Sequence, residues 1–447
     1  MKIKNKTIKR INVGSITKNI SWILFQNIYT MILGIVLTGI IARHYGTEGY
    51  GIVNFCLSYV GLFSFIAIFG TNHIILKDLT EHKYDNGTVL GTNLFVRIFL
   101  SILALVISQT ISLIIYDKET NIAILLFNIN TILCCSDIIS YFAQSKIQNK
   151  YISISKIFST TVFSILKLIA VILNLDIIIY ICFYLAETII YSLMLIWSYK
   201  KINNEKINWR VDKSYLKKLL SKSKFYALAS LMVTIYMRID QVMIGTFFSS
   251  KSEVGIYSAS VRIAEIWTFV PLSIITSYKP IIIASKENSD KNYYSNFQKL
   301  YSIVSSICFI FTIGVIVFGK IGIHILYGND YARAYIPLII LVFGTWIGTL
   351  GNIHYVWMTC ENKEKYSIFY SFCGCFSNII LNLVLIPKYG IVGAAIATII
   401  SQIISNVVVF SFVRNARILT IMLIKSLNPI TGFKLLLEKV NRKKKQN

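Results

Sequence analysis

Charged side chains are scarce in this sequence, making up 15% of its 447 residues against 55% hydrophobic ones. So thin a polar coat excludes an ordinary soluble chain. Acidic residues are scarcer still, 20 against 45 Lys and Arg, for a net charge of +25. The five histidines are scattered, and no H-E-x-x-H, paired C-x-x-C or nucleophile-elbow pattern occurs. Metal-centred and triad chemistry therefore have no constellation to stand on. The stretch GVIVFGKI, Gly314 to Ile321, nearly spells a phosphate-binding loop, but Ile321 replaces the Ser or Thr that would hold magnesium, and no strand precedes it. The eight cysteines fall in or at the ends of apolar runs, with neither a disulfide framework nor a zinc spacing, which leaves small apolar packing as their role.

What the sequence has in abundance is long apolar runs. Twelve reach the ~20 residues needed to cross a hydrocarbon core: 19–42, 50–72, 89–115, 121–143, 151–174, 176–198, 223–248, 254–279, 297–319, 334–359, 365–386 and 390–413. With both termini cytoplasmic, 35 of the 45 Lys and Arg fall on the cytoplasmic side, six outside and four within spans. That is the asymmetry membrane topology follows. The expectation is an all-α polytopic membrane protein of about 12 transmembrane helices. The same asymmetry accounts for most of the positive charge, with anionic lipids as its counterpart and no need of nucleic acid. The first apolar run, behind Lys2, Lys4, Lys6, Lys9 and Arg10, is too long for a signal peptide and lacks a small-residue cleavage site, so it reads as an uncleaved span.

The strongest boundary is the basic stretch Lys200 to Lys224. It divides the chain into an N-terminal six-helix lobe (1–199), a cytoplasmic linker (200–222), a C-terminal six-helix lobe (223–413) and a basic tail (414–447). Six is even, so a repeat of this kind is parallel, its lobes related by an axis along the membrane normal. Direct self-similarity is weak: a slide of 204 residues superposes Gly51-Ile52 on Gly255-Ile256 and little else. Pro271 and Pro280 are expected to interrupt the eighth span. Gly344 and Gly348, spaced as GxxxG, are expected to let helices approach closely. In the tail, apolar runs broken by Lys425, Pro429 and Lys434 are too short to span and suit an interfacial amphipathic segment, with two more spans as the alternative.

Within the spans stand Arg97, Lys167, Arg238 and Arg262 against Asp137, Glu187, Asp240 and Glu265. Four of these lie in one stretch, YMRIDQVMIGTFFSSKSEVGIYSASVRIAEIWTFVP (Tyr236 to Pro271), which reads as a membrane hairpin turning near Lys251. Counted outward from the turn, Asp240 is level with Arg262, and Arg238 with Glu265. Ions at that depth face a bundle interior, a partner or a water-filled pathway. Pairing and helix registry is the plainer reading. Lys167 and Glu187, on adjacent spans but not level, are further candidates for lining a cavity.

The hairpin's R-I-D-Q-V-M-I-G and E-V-G-I-Y-S-A-S-V-R-I-A-E resemble the central hairpin of bacterial polysaccharide flippases of the multidrug/oligosaccharidyl-lipid/polysaccharide superfamily, the Wzx-like O-antigen and capsule type. IARHYGTEGYGIVNF (Ile41 to Phe55) resembles the family's first external turn, and IPKYGIVGAAIATIIS (Ile386 to Ser401) its last hairpin. The resemblance implies two six-helix lobes around a central cavity, a MATE-like fold in the bacterial cytoplasmic (inner) membrane. It implies translocation of an undecaprenyl-pyrophosphate-linked oligosaccharide to the outer leaflet, with a polysaccharide polymerase and chain-length regulator as possible partners. Arg238 and Arg262 suit a pyrophosphate, since guanidinium gives bidentate charge-assisted bonds. Trp267, Gln241, Asn352, His354 and Tyr355 suit sugars. There is no cofactor, but Asp240 and Glu265 could couple to H+ or Na+. Balanced charges depart from the cationic lumen described for such flippases. The rivals are a cation or drug antiporter of the same superfamily, and a polymerase, which the very short external loops disfavour along with enzymes generally.

Overall fold

A computed structural model of the chain describes residues 13–81, 83–203, 208–288, 290–361, 363 and 365–428. Among them the backbone is helical nearly throughout and no strand forms, as lipid demands of a chain that must satisfy its own N–H and C=O groups. The helices are α1 (Val13–His44), α2 (Gly46–Ile68), α3 (Thr71–Glu81), α4 (Asn86–Ile115), α5 (Lys118–Leu133), α6 (Ile138–Ser145), α7 (Asn149–Ile172) and α8 (Ile177–Ile202). They continue with α9 (Lys213–Phe247), α10 (Ser252–Glu265), α11 (Phe269–Asn288), α12 (Asp290–Tyr327), α13 (Tyr335–Cys360), α14 (Lys365–Ile403), α15 (Val409–Phe412) and α16 (Arg417–Ser426). Among the described residues eleven stretches are long and apolar enough to cross a bilayer, the last being Tyr366–Phe412. That stretch is two helices: Gly390 has φ of 60°, outside any right-handed helix, three residues after Pro387. Dividing α14 there into two arms gives the twelve crossings expected from the apolar runs.

The helices gather into two compact units, one of residues through His44 with Phe63–Ser230, the other of Tyr45–Leu62 with everything from Leu231. In the first unit, α1 lies along α7, α7 along α8, and α4 and α8 along α5. At one end a small core of Ile75, Leu79, Leu90, Ile138 and Phe142 also takes in Tyr215 and Leu219 from the basic stretch read as a linker. That stretch is tied down at Arg210, which gives its N–H to the Gly87 carbonyl at 3.2 Å and its Nε to Thr88 at 2.9 Å. Gly87 and Gly91 leave the room for this approach, since a Cβ on either would collide with the backbone of Asn208 or Arg210. Helix α3 was not legible from hydropathy. Two left-handed residues, Phe69 (φ 46°) and Gly70 (φ 64°), turn the chain into it. Arg97 then donates from Nε to Thr71 at 3.0 Å, so it is buried against α3.

The second unit is built on α12 and α13, with α10, α11 and α14 against them. Its core holds Phe297, Tyr301, Val304, Leu350, Ile353 and Trp357, and also Leu419 and Leu423 of α16. The tail thus packs through α16, Arg417–Ser426, while Pro429 and Lys434 lie outside the described residues. The eighth crossing breaks earlier than its prolines suggested, at Ile266–Thr268 between α10 and α11. Pro271 occupies the first turn of α11, where a missing N–H deprives no intrahelical bond, and Pro280 lies inside that helix. Gly344 and Gly348 do serve close packing, against Ile399 and Gln402. Gly51 on α2 and Gly255 on α10 meet face to face. A Cβ on Gly51 would strike the Lys251 carbonyl, and one on Gly255 would strike the Thr47 carbonyl. Those partners are themselves 204 residues apart, as the two glycines are.

Candidate functional site

The second unit encloses a cavity of about 360 Å³ between the later part of α9, α10, α13 and α14, with Asp240, Gln241, Tyr257 and Thr398 in its wall. Asp240 is buried and both oxygens of its carboxylate are hydrogen-bonded. It accepts hydrogen bonds from the Tyr257 hydroxyl at 2.8 Å, the Thr398 hydroxyl at 2.6 Å and the Asn382 amide at 2.6 Å. The same amide reaches Asn378 Oδ1 at 3.1 Å. Asn378 and Asn382 stand one turn apart on the first arm of α14 and so share a face. Thr398 faces them from the second arm, brought back by the turn at Gly390. Asn382 Oδ1 is left buried without a partner. One acid among hydroxyls and amides, with a spare carbonyl oxygen, is an all-oxygen donor set of the kind that suits a hard cation or holds a proton.

Beside it Gln241, also buried, accepts from the Ser58 hydroxyl of α2. Farther along the wall, Ser405 and Asn406 sit in a π-helical turn, Ile404–Val408. Such turns carry an extra residue and recur at functional sites. The Asn406 amide occupies the space that a side chain at Gly351 would need.

The remaining charges of the hairpin are arranged differently from the level pairs. Arg238, Arg262 and Glu265 are exposed on the second unit, and Glu265 also borders the cavity. Among the described residues no ion pair joins Asp240 to Arg262 or Arg238 to Glu265. Counting from the turn fixed their depth but not their direction. At about 100° per residue, Arg238 points roughly 200° away from Asp240, while Arg262 and Glu265, three residues apart, share a face. Glu265 accordingly has both arginines as electrostatic neighbours.

Lys167 and Glu187 do meet, Nζ to Oε2 at 2.7 Å. Thr160 donates to the same carboxylate at 3.1 Å, and the lysine lies 3.7 Å from the Tyr184 ring centre. The long lysine spans the offset that had set them apart. They form a satisfied pair between α7 and α8 in the first unit. Trp267 is a core residue, stacked on Phe311 at 4.5 Å with its indole N–H on the Ala264 carbonyl at 2.9 Å. His354 is wholly buried against Phe410. Of the suggested sugar contacts, Gln241 and Asn352 line the cavity and Tyr355 lies exposed.

The chain is 27% identical over 237 residues to a probable low-salt glycan biosynthesis flippase, Agl15, of Haloferax volcanii, a match that spans 50% of this chain and 48% of that one. Among solved structures it resembles the lipid II flippase MurJ in an inward closed conformation, with a TM-score of 0.69 at 16% identity over 93% of this chain and 92% of the other. It also resembles an inward-facing MATE-family multidrug resistance transporter of the MOP superfamily, with a TM-score of 0.65 at 11% identity over 88% and 95%. At those identities the likeness establishes the fold, a MATE-like polytopic bundle. Residues 16–286 match the model of the polysaccharide biosynthesis protein family, and the chain belongs to that family.

Proposed function

We propose that this protein is a flippase that carries an undecaprenyl-pyrophosphate-linked oligosaccharide repeat unit from the cytoplasmic to the outer leaflet of a bacterial inner membrane by alternating access, for surface polysaccharide synthesis. The observation that carries the reading is a cavity with a buried, hydrogen-bonded carboxylate in its wall, inside a MATE-like bundle that belongs to a polysaccharide biosynthesis family. The names of Agl15 and MurJ, both flippases, support it. Arg238 and Arg262, exposed at mid-span depth, offer guanidinium forks to a pyrophosphate, which lipid tails could not satisfy. Gln241 and Asn352 offer amides to sugar hydroxyls.

Asp240 is the coupling group in this reading. Its carboxylate, Asn382 Oδ1, Asn378 Oδ1 and the Thr398 hydroxyl would hold Na+ or, at the carboxylate alone, H+. A bound cation would neutralise the acid and add binding free energy that differs between conformations, as any ligand must to shift an equilibrium. Because these oxygens come from α9 and both arms of α14, drawing them together fixes those helices relative to one another.

One observation favours a second reading, a cation or drug antiporter: the charged residues of the cavity wall are acids, Asp240 and Glu265, with no base among them. Gene deletion separates the two. The flippase reading expects surface polysaccharide to be lost and lipid-linked units to build up on the cytoplasmic side. Units that build up outside, or intact polysaccharide with new drug sensitivity, would sink it. Export measured across Na+ concentration and pH then separates the two coupling ions.

A further inference from the structure

The first unit has a cavity of its own, of about 260 Å³, at the end that carries the Lys146–Lys150 loop. Its wall takes Gln26 from α1, Asp137 from the turn before α6, Tyr141 and Gln144 from α6, Asn149 and Ser153 from α7, and Tyr191 from α8. Ser153 is wholly buried, yet its hydroxyl has no hydrogen-bond partner. Asp137 has Arg97 and Lys156 as electrostatic neighbours, and each also backs a ring of the wall. Arg97 lies 5.6 Å from the Tyr141 ring centre, and Lys156 lies 4.8 Å from that of Tyr191.

We infer that this cavity is a recognition subsite for an uncharged sugar. A carboxylate and three amides, Gln26, Gln144 and Asn149, on one cavity wall suit vicinal hydroxyls, each of which donates and accepts. The tyrosines add apolar faces for ring C–H groups and hydroxyls for the sugar's own. An anion such as phosphate would meet the Asp137 carboxylate, and a cation is not called for where two bases already answer that acid. The cavity is separate from the one around Asp240, since every residue of its wall belongs to the first unit. That the sugar is part of a transported lipid-linked unit rests on the flippase reading. On that reading, and with the basic loop on the cytoplasmic side, it is where a terminal sugar is first engaged.

The test uses the full chain in lipid nanodiscs and free glucose, galactose, mannose, N-acetylglucosamine and N-acetylgalactosamine, read by saturation-transfer NMR. At least one of these is expected to bind, and Gln26→Leu and Asp137→Asn should each weaken it about tenfold or more while the protein elutes as wild type. Because Asp137 has basic neighbours and its variant can fail to insert, Gln26→Leu carries the test alone if it does. No binding, binding indifferent to Gln26→Leu, or a site that responds only to NaCl in place of choline chloride overturns the proposal. If the deletion strain still exports polysaccharide while sugar binding is lost in the variants, the flippase reading fails and the subsite stands. If export depends on the gene but no sugar binds, the reverse holds.

Discussion

Asp240 shows how differently one acid reads in the sequence and in the fold. Its charge drew attention to Arg262 at the same depth, but its carboxylate is held by Tyr257, Asn382 and Thr398, three neutral groups whose types give no hint of one another along the chain. Depth could be counted from Lys251, whereas direction around the helix needed the positions of α10 and α14. The two asparagines one turn apart in an apolar span were the one signal available, because an amide there needs a partner. The expected outcome of charge reversal follows from these contacts. Asp240→Arg and Arg262→Asp should each reduce surface polysaccharide, measured per inserted protein, by tenfold or more. The double swap should restore nothing, because the cradle around position 240 accepts no cation side chain. Export by the double swap at wild-type level would return these residues to the role of paired helix ions.

Between helices, the decisive contacts are backbone to backbone. Gly51 and Gly255 allow α2 and α10 to touch, and an added methyl on either runs into a carbonyl that cannot rotate away. Gly51→Ala and Gly255→Ala should therefore each destabilise by about 1–3 kcal/mol, the range for overpacking. Their effects should not add, since both push the same two helices apart. Gly314→Ala, where a Cβ would meet nothing, supplies the control on α12, with a gain of up to about 1 kcal/mol expected from helix propensity. Thermal unfolding of the three purified variants and the double mutant checks this, and a loss at Gly314 equal to that at Gly51 would show that the close approach of α2 and α10 is not its cause. The crossings themselves were legible because apolar length and lysine placement are strong signals. The break at Ile266–Thr268, the π-helical turn at Ile404–Val408 and helix α3 were not, since each depends on what packs beside it. Two of these three border or adjoin the cavity wall, which is where local preference is most often overridden by packing.

At the scale of the whole chain, the partition of basic residues makes the orientation testable. Single cysteines at Ser249 and Ser221, in a background freed of the eight native ones, should react with a membrane-impermeant maleimide from opposite sides, Ser249 in intact cells and Ser221 in inverted vesicles. Reaction of both from the same side would overturn the expected topology. The division into units also gives assembly an order in time. Tyr45–Leu62 packs with residues from Leu231 onward, yet it is synthesised long before them. At ribosomal rates of about 5–20 residues per second, roughly 8 to 34 seconds separate the emergence of Leu62 from that of Leu231. Through that interval the bare glycine face at Gly51 has been made and its mate at Gly255 has not. A chain whose early helix must wait for a late one is vulnerable to whatever meets that face first. Truncations ending between Leu62 and Gly255 are thus the fragments most exposed to quality-control proteases.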